Sequence, residues 1–415
     1  MPLLDGFTTR IVHSDRLDPI EHGSLQKPIH ATVAYGYDDA RDLAAVFQGR
    51  QGGFTYGRQV NPTVEALQTK ITRMEDGVAS VCFGTGMAAI GTMLFALLRK
   101  GDHFISSAYL FGNTNSLFMS FAAQGIDVSF VDATDVDAVR AAIRPETKLI
   151  FTETIANPVT QVAALDAIGE LAAEKQLLYV VDNTMTSPYL FQPKSVGASL
   201  VVNSLTKYIG GHGNALGGAI TETGLFDWAG FTNLYDIYKQ GDPRKWGITQ
   251  IKKKGLRDFG AALGPEAAHH IAVGAETLAL RLERQCASAA RLTAFLRAQP
   301  WVNAVYYPGL TSHPQHSRAM RLFRHPGALF SFELAHQVDL WRFLNGLRVV
   351  IKSSNLGDNR TLAIPVAHTI YYEMGAQRRA SMGIDDSLIR ISVGIEDADD
   401  LERDFEAAYA AASEQ

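Results

Sequence analysis

Two side chains in this sequence stand where buried strands should end: an aspartate at 182 and a lysine at 207. The apolar run Leu177–Asn183 closes on Asp182, and Ser199–Ser204 is followed at once by Thr206 and Lys207. A carboxylate and an amine at neighbouring strand ends suit a cationic ring nitrogen and an electrophilic carbonyl. Pyridoxal phosphate needs both partners. Ser204 and Thr206 flank the lysine with hydroxyls suited to its phosphate. Read singly, the pair is more simply an ordinary loop lysine and an aspartate that caps a turn.

Three further segments carry side chains of the same kind. Ala79–Phe83 runs into Gly84, Thr85, Gly86 and Met87 at the start of a helix. There, exposed N–H groups and the positive helix end favour a phosphate. The same turn fits the loose dinucleotide pattern, with Asp102 short of the usual ribose spacing, and also reads as a tight packing turn. Lys148–Thr154 leaves Glu153 and Asn157 at a strand end. Arg390 opens an apolar strand, where a guanidinium grips a carboxylate at two points or forms an interdomain ion pair.

The elements that must position these groups follow from the hydrophobic pattern. Short apolar runs at Ala79–Phe83, His103–Ser107, Asp127–Val131, Lys148–Thr154, Leu177–Asn183 and Ser199–Ser204 alternate with segments of helical spacing. That alternation predicts an α/β fold with a mainly parallel sheet, covered by helices on both faces. Ligands then bind beyond the carboxyl ends of the strands.

From Gly264 the texture changes to a long helical stretch ending at Pro300. Strand candidates follow at Tyr306–Leu310, Ala328–Leu334, Arg348–Ser354 and Ile389–Glu396, and then a final helix, Asp397–Ala412. We therefore expect residues 61–260 to bind the cofactor and residues 261–415 to form a smaller α+β domain. Residues 1–60, rich in glycine and polar side chains, read as an arm laid against something else.

Composition narrows the function classes. The chain has 415 residues, 47% hydrophobic and 20% charged, with net charge -5, so no basic field exists to draw nucleic acid. The longest apolar run, Met87–Leu98, is too short to span a bilayer. Cys82 and Cys286 are too few for a disulfide framework and fit a reducing cytoplasm. His269–His270 and His313/His316 have no recognisable third ligand, so no metal site is expected.

Three motifs taken together, around Asp182, Lys207 and Arg390, resemble the Cys/Met metabolism family of pyridoxal-phosphate enzymes. They read VVDNTMTSPYL, VVNSLTKYIGGHGN and SLIRISVGIED. The resemblance runs from the arm motif YGRQVNPTV to the final helix. It implies a type I aminotransferase-like fold and a homotetramer built from two tight dimers. Lys207 would carry the cofactor covalently and move the α-proton, and Asp182 would keep the ring nitrogen protonated. Gly86, Met87, Ser204 and Thr206 would bind the phosphate, joined by Tyr56 and Arg58 from the neighbouring subunit. Asn157 would contact a cofactor oxygen, and Arg390 and Asn355 the substrate.

The departures bear on substrate. Phe111 stands where most of the family has a tyrosine stacked on the ring, and Tyr109 is two residues away. Asn113 replaces the cysteine of methionine γ-lyases, and the N-L-G-D segment at Asn355 to Asp358 resembles the sulfhydrylases. His368, Tyr371 and Tyr372 depart from both branches and read as an altered pocket or a packed loop. The expected reaction is γ-replacement on an O-acyl-L-homoserine, with γ-elimination from methionine or cystathionine as the alternative.

Overall fold

A computed structural model describes residues 5–16 and 20–413. Positions 1–4 and 17–19 of the expected arm, and 414–415 of the C-terminal part, lie outside the described residues. The larger sheet has seven strands: β1 (Ala79–Phe83), β2 (His103–Ser107), β3 (Asp127–Val131), β4 (Thr147–Glu153), β5 (Leu178–Asp182), β6 (Leu200–Ser204) and β7 (Gly218–Glu222). Their spatial order is β1-β7-β6-β5-β4-β2-β3. Strands β2 to β6 pair in parallel, and β7 runs antiparallel between β1 and β6.

Both faces of this sheet are apolar because both are covered. Val181 and Val201 enter one core, whereas Val180 and Val202 enter the other. The helix Gly86–Leu97 is apolar nearly all round, as its burial under the second face requires. The helix Pro62–Met74 begins as its sequence predicts. Pro62 takes the first turn, and Asn61 Oδ1 accepts the Thr63 and Val64 N–H groups at 2.9 and 3.3 Å.

A second sheet holds β8 (Val302–Tyr306), β9 (Leu329–Leu334), β10 (Ile351–Lys352), β11 (Leu362–Pro365) and β12 (Leu388–Ser392), in the order β10-β11-β12-β9-β8. The far half of the helix Leu278–Arg297 and the last helix, Ala398–Ser413, close a separate core over it.

Several elements differ from the sequence reading. Strands β7 and β11 were not expected, β8 precedes rather than contains the Tyr307–Pro308 turn, and β10 keeps only two residues. The first 60 residues also pack partly on their own chain. The helix Phe7–His13 buries Ile11 in the main core. The remainder of that segment leaves Leu25, Val33 and Phe47 exposed.

Candidate active site

The carboxyl ends of β4, β5 and β6 open into one cavity of about 830 Å³. Its wall includes Gly86, Met87, Phe111, Asn157, Asp182, Ser204, Thr206, Lys207, Asn355 and Arg390. These ten residues singled out in the sequence are thus brought together from both sheets, and Thr85, Asn113 and Glu153 line the same cavity. Tyr56 and Arg58 are not among them. Tyr56 is exposed, and Arg58 reaches the Arg257 carbonyl with its guanidinium 5.5 Å from the Tyr56 ring.

The parallel register sets Glu153 beside Asp182 at the ends of β4 and β5. Asp182 Oδ1 accepts the Thr184 N–H at 2.9 Å, and Thr184 Oγ1 accepts the Ser204 N–H at 2.8 Å. Burial pushes the Asp182 carboxyl up to about 6 against the pull of Thr184. Burial and the adjacent Asp182 charge push Glu153 further, to about 8. The two carboxyls titrate as a pair, and Glu153, which faces the Asp182 charge, is the member raised more.

Lys207 Nζ donates to Asn355 Oδ1 at 2.7 Å. Burial, aided by the nearby Arg390 charge, lowers its amine to about 8. Arg390 is 2% exposed. Its Nη2 donates to the Ser354 and Asn355 carbonyls at 3.0 and 2.9 Å, and its Nη1 to Asn157 Oδ1 at 3.3 Å. Among the described residues no carboxylate pairs with this guanidinium, and its Nε has no partner. The interdomain ion pair is therefore not formed. A buried cation without an anion favours an anionic ligand beside it.

The turn before the helix Gly86–Leu97 has the form of a phosphate cradle. Thr85 turns back to take the Ala88 N–H on Oγ1 at 3.0 Å and the Ala89 N–H on its carbonyl at 3.1 Å. Gly86 and Met87 stay on the cavity wall at the positive helix end. A Cβ on Gly86 would come within 3.0 Å of Ser204 Cβ and 3.2 Å of its Oγ, so a side chain there would press on Ser204. Thr206 Oγ1 is engaged by the Gly217 N–H at 3.0 Å, although the residue still lines the cavity.

These groups suit pyridoxal phosphate: a cradle for the phosphate, a carboxyl placed for the ring nitrogen, and an amine lowered toward neutrality. They do not suit a dinucleotide. Asp102, the residue that reading needs for a ribose, already accepts the Arg99 N–H at 2.6 Å and Asn233 Nδ2 at 2.7 Å.

Sequence reading noted Glu153 at a strand end without giving it a task, and it did not anticipate the bond between Lys207 and Asn355. The atypical segment also resolves into parts. Tyr371 is buried, whereas Tyr372 is exposed and His368 turns outward to the Asp386 carbonyl at 3.0 Å.

Comparison with known proteins gives the same reading independently. Residues 8–410 match the family model described as Cys/Met metabolism PLP-dependent enzyme. L-methionine gamma-lyase of Pseudomonas putida is 36% identical over 414 residues, covering 99% of this chain and 98% of that protein. O-succinylhomoserine sulfhydrylase of Pseudomonas aeruginosa is 36% identical over 395 residues, covering 94% and 91%. The solved cystathionine gamma synthase of Xanthomonas oryzae pv. oryzae, in complex with aminoacrylate and cysteine, is 30% identical with a TM-score of 0.87. That likeness covers 98% of each chain. By sequence and by fold, then, this chain belongs to the Cys/Met metabolism family of pyridoxal-phosphate-dependent enzymes.

Proposed function

We propose that the chain catalyses γ-replacement on an O-acyl-L-homoserine, with sulfide or a small thiol as the incoming nucleophile. The observation that carries this reading is the aromatic wall. Phe111 lines the cavity, and no tyrosine among the described residues of this chain joins it. The Tyr109 hydroxyl donates instead to Asp132 at 3.3 Å. A thiolate leaving group has a conjugate acid near pKa ~8.5 and needs a proton to depart, whereas a carboxylate, near ~4, leaves without one. A phenylalanine in place of a phenol at this ring position suits the ester.

When bound, pyridoxal phosphate supplies an electron sink for the carbanion formed at the substrate α-carbon. Lys207 would hold it covalently, and the Lys207 amine would take the α-proton. Asp182 would keep the ring nitrogen protonated. Gly86 and Met87 would donate N–H groups to the phosphate, with Ser204 and Thr206 beside them. Phe111 would stack on the ring, and Asn157 would reach a ring oxygen. Arg390 and Asn355 would hold the substrate carboxylate.

Tyr56 and Arg58 would complete the phosphate site of a second copy of the chain, in a dimer of dimers. In this layout residues 1–60 act as the arm, 61–260 as the cofactor domain and 261–415 as the C-terminal domain. Two buried, unpaired cysteines fit a cytoplasmic protein. Among the described residues, no helix is long and apolar enough to cross a membrane.

The test is 2-oxobutyrate release from methionine and from O-acetyl-L-homoserine in parallel, with and without sulfide. We expect only the ester to react and sulfide to divert it to homocysteine. Consumption of methionine at the ester's rate would overturn the reading. It would favour γ-elimination, which the equal 36% identity to the P. putida lyase also supports. Phe111→Tyr is expected to raise methionine turnover relative to the ester by about 10²-fold, the lower range for one proton donor. Arg390→Leu should raise the KM for either amino acid by about 10²-fold, as expected for losing a buried charge pair. Unaltered steady-state saturation curves for that variant would refute the assignment of Arg390.

A further inference from the structure

The peptide unit between Leu110 and Phe111 is held at both of its polar ends by buried side chains from separate parts of the chain. Its N–H, on Phe111, donates to Glu153 Oε1 at 2.9 Å. Its carbonyl, on Leu110, accepts from the Tyr371 hydroxyl at 3.1 Å. Glu153 is the last residue of β4 in the larger sheet, and Tyr371 lies in the loop between β11 and β12 of the smaller one. Both side chains are buried, at 7% for Glu153 and 1% for Tyr371. The Tyr371 hydroxyl also reaches the Asn157 carbonyl at 2.5 Å, so its single proton is shared between two carbonyls.

A peptide group is planar. Gripping its C=O and its N–H together removes rotation about the line of the chain and fixes the direction in which the next Cα carries its side chain. That next side chain is Phe111, which lines the cavity. A phenylalanine ring has no hydroxyl with which to anchor itself, and Phe111 makes no side-chain cap to the helix Gly112–Ala123 that it precedes. Its orientation must come from packing and from the backbone.

We propose that Glu153 and Tyr371 are positioning residues that clamp the Leu110–Phe111 peptide from both sides and thereby set the plane of the Phe111 ring in the cofactor cavity. The atypical segment after β11 then has a task. It carries a phenol into the interior, where the hydroxyl aligns the wall without entering the cavity. Because that hydroxyl also holds Asn157, whose side chain meets Arg390, the same contact ties the ring wall to the substrate-anion site. What the ring stacks on rests on the cofactor reading above; the clamp itself does not.

The test uses the full-length holoenzyme and the variants Tyr371→Phe, Glu153→Leu, Glu153→Gln and Phe111→Ala. Readouts are the visible circular dichroism of the bound cofactor, its dissociation constant, and kcat separately from KM. We expect Tyr371→Phe and Glu153→Leu each to weaken the dichroic band and lower kcat roughly tenfold, the size of one buried hydrogen bond. Glu153→Gln keeps an acceptor and should stay within about twofold of wild type. In a Phe111→Ala background, the clamp substitutions should change the band no further, because the ring they orient is gone.

If Tyr371→Phe and Glu153→Leu lower only the melting temperature and leave band and kcat at wild-type values, the contacts are structural and the clamp is refuted. A wild-type protein that binds no pyridoxal phosphate would instead refute the cofactor reading. The two failures are distinct.

Discussion

Lys207→Ala is expected to lower turnover on the O-acyl ester by on the order of 10⁴-fold, the upper end for one group that moves a proton in the reaction. The protein should still fold, because among the described residues the Lys207 amine makes one hydrogen bond, to Asn355 Oδ1, at the edge of the cavity. Borohydride treatment should fix pyridoxal phosphate to the wild-type chain and leave the variant unlabelled. Equal labelling of both would remove Lys207 from the mechanism.

The amine also predicts a pH dependence. Only the neutral form condenses with an aldehyde, and burial, aided by Arg390, lowers Lys207 to about 8. Reconstitution of the cofactor-free protein should therefore quicken about tenfold per pH unit up to about 8 and level off above it. A profile that keeps climbing to ~10 would mark an ordinary exposed lysine. In Arg390→Leu the bend should move upward, since one cation that disfavours the charged amine is removed.

Asp182→Asn has the second largest expected effect, a loss of kcat of about 10³-fold, typical of removing a preorganised charge from an active site. Asparagine fills the same space and still accepts the Thr184 N–H, so packing is preserved and the charge alone is lost. The wild-type pH profile should show the same requirement. In the proposed role the carboxylate is the working form, and in the cofactor-free site burial lifts its pKa to about 6, so cofactor affinity should fall as pH drops through that value. The asparagine variant should lack this acid limb. A wild-type profile flat from ~7 down to ~4.5, below the value expected for Asp182, would contradict the role.

Much of this site is legible in the sequence because its residues sit at strand ends, and strand ends are easy to find. Buried parallel strands read as short apolar runs, so Asp182 and Ser204 mark where β5 and β6 stop. The strands that were missed carry weaker local signals. Strand β7 follows a glycine-rich stretch, runs antiparallel and has no helix before it, so the strand-helix alternation does not reveal it. Strand β11 ends on Pro365, a residue that argues against a strand in an isolated window. The side-chain bonds between distant segments were beyond reach for another reason. Glu153 meets Phe111 because β4 and β2 lie side by side, whereas Tyr371 meets Leu110 and Lys207 meets Asn355 because the two sheets dock. No spacing within one segment encodes such a meeting.

The antiparallel insertion of β7 also dictates an order of construction. Strand β1, which leads into the phosphate turn, lies at the sheet edge, and its only neighbour among the described strands is β7. Phe83 pairs with Gly218, and a Cβ there would come within 2.1 Å of the Thr85 carbonyl and 2.7 Å of the Gly86 nitrogen. The turn thus rests directly on a bare backbone made much later in synthesis. During translation β1 waits without a partner until the chain has passed Glu222, a long loop to close before any pairing stabilises it. Arg390 arrives later still, near the end of the chain. A nascent chain halted before β7 carries the residues proposed for the phosphate with no floor beneath them. The capacity to take up cofactor should therefore emerge abruptly, late in elongation, rather than grow with length.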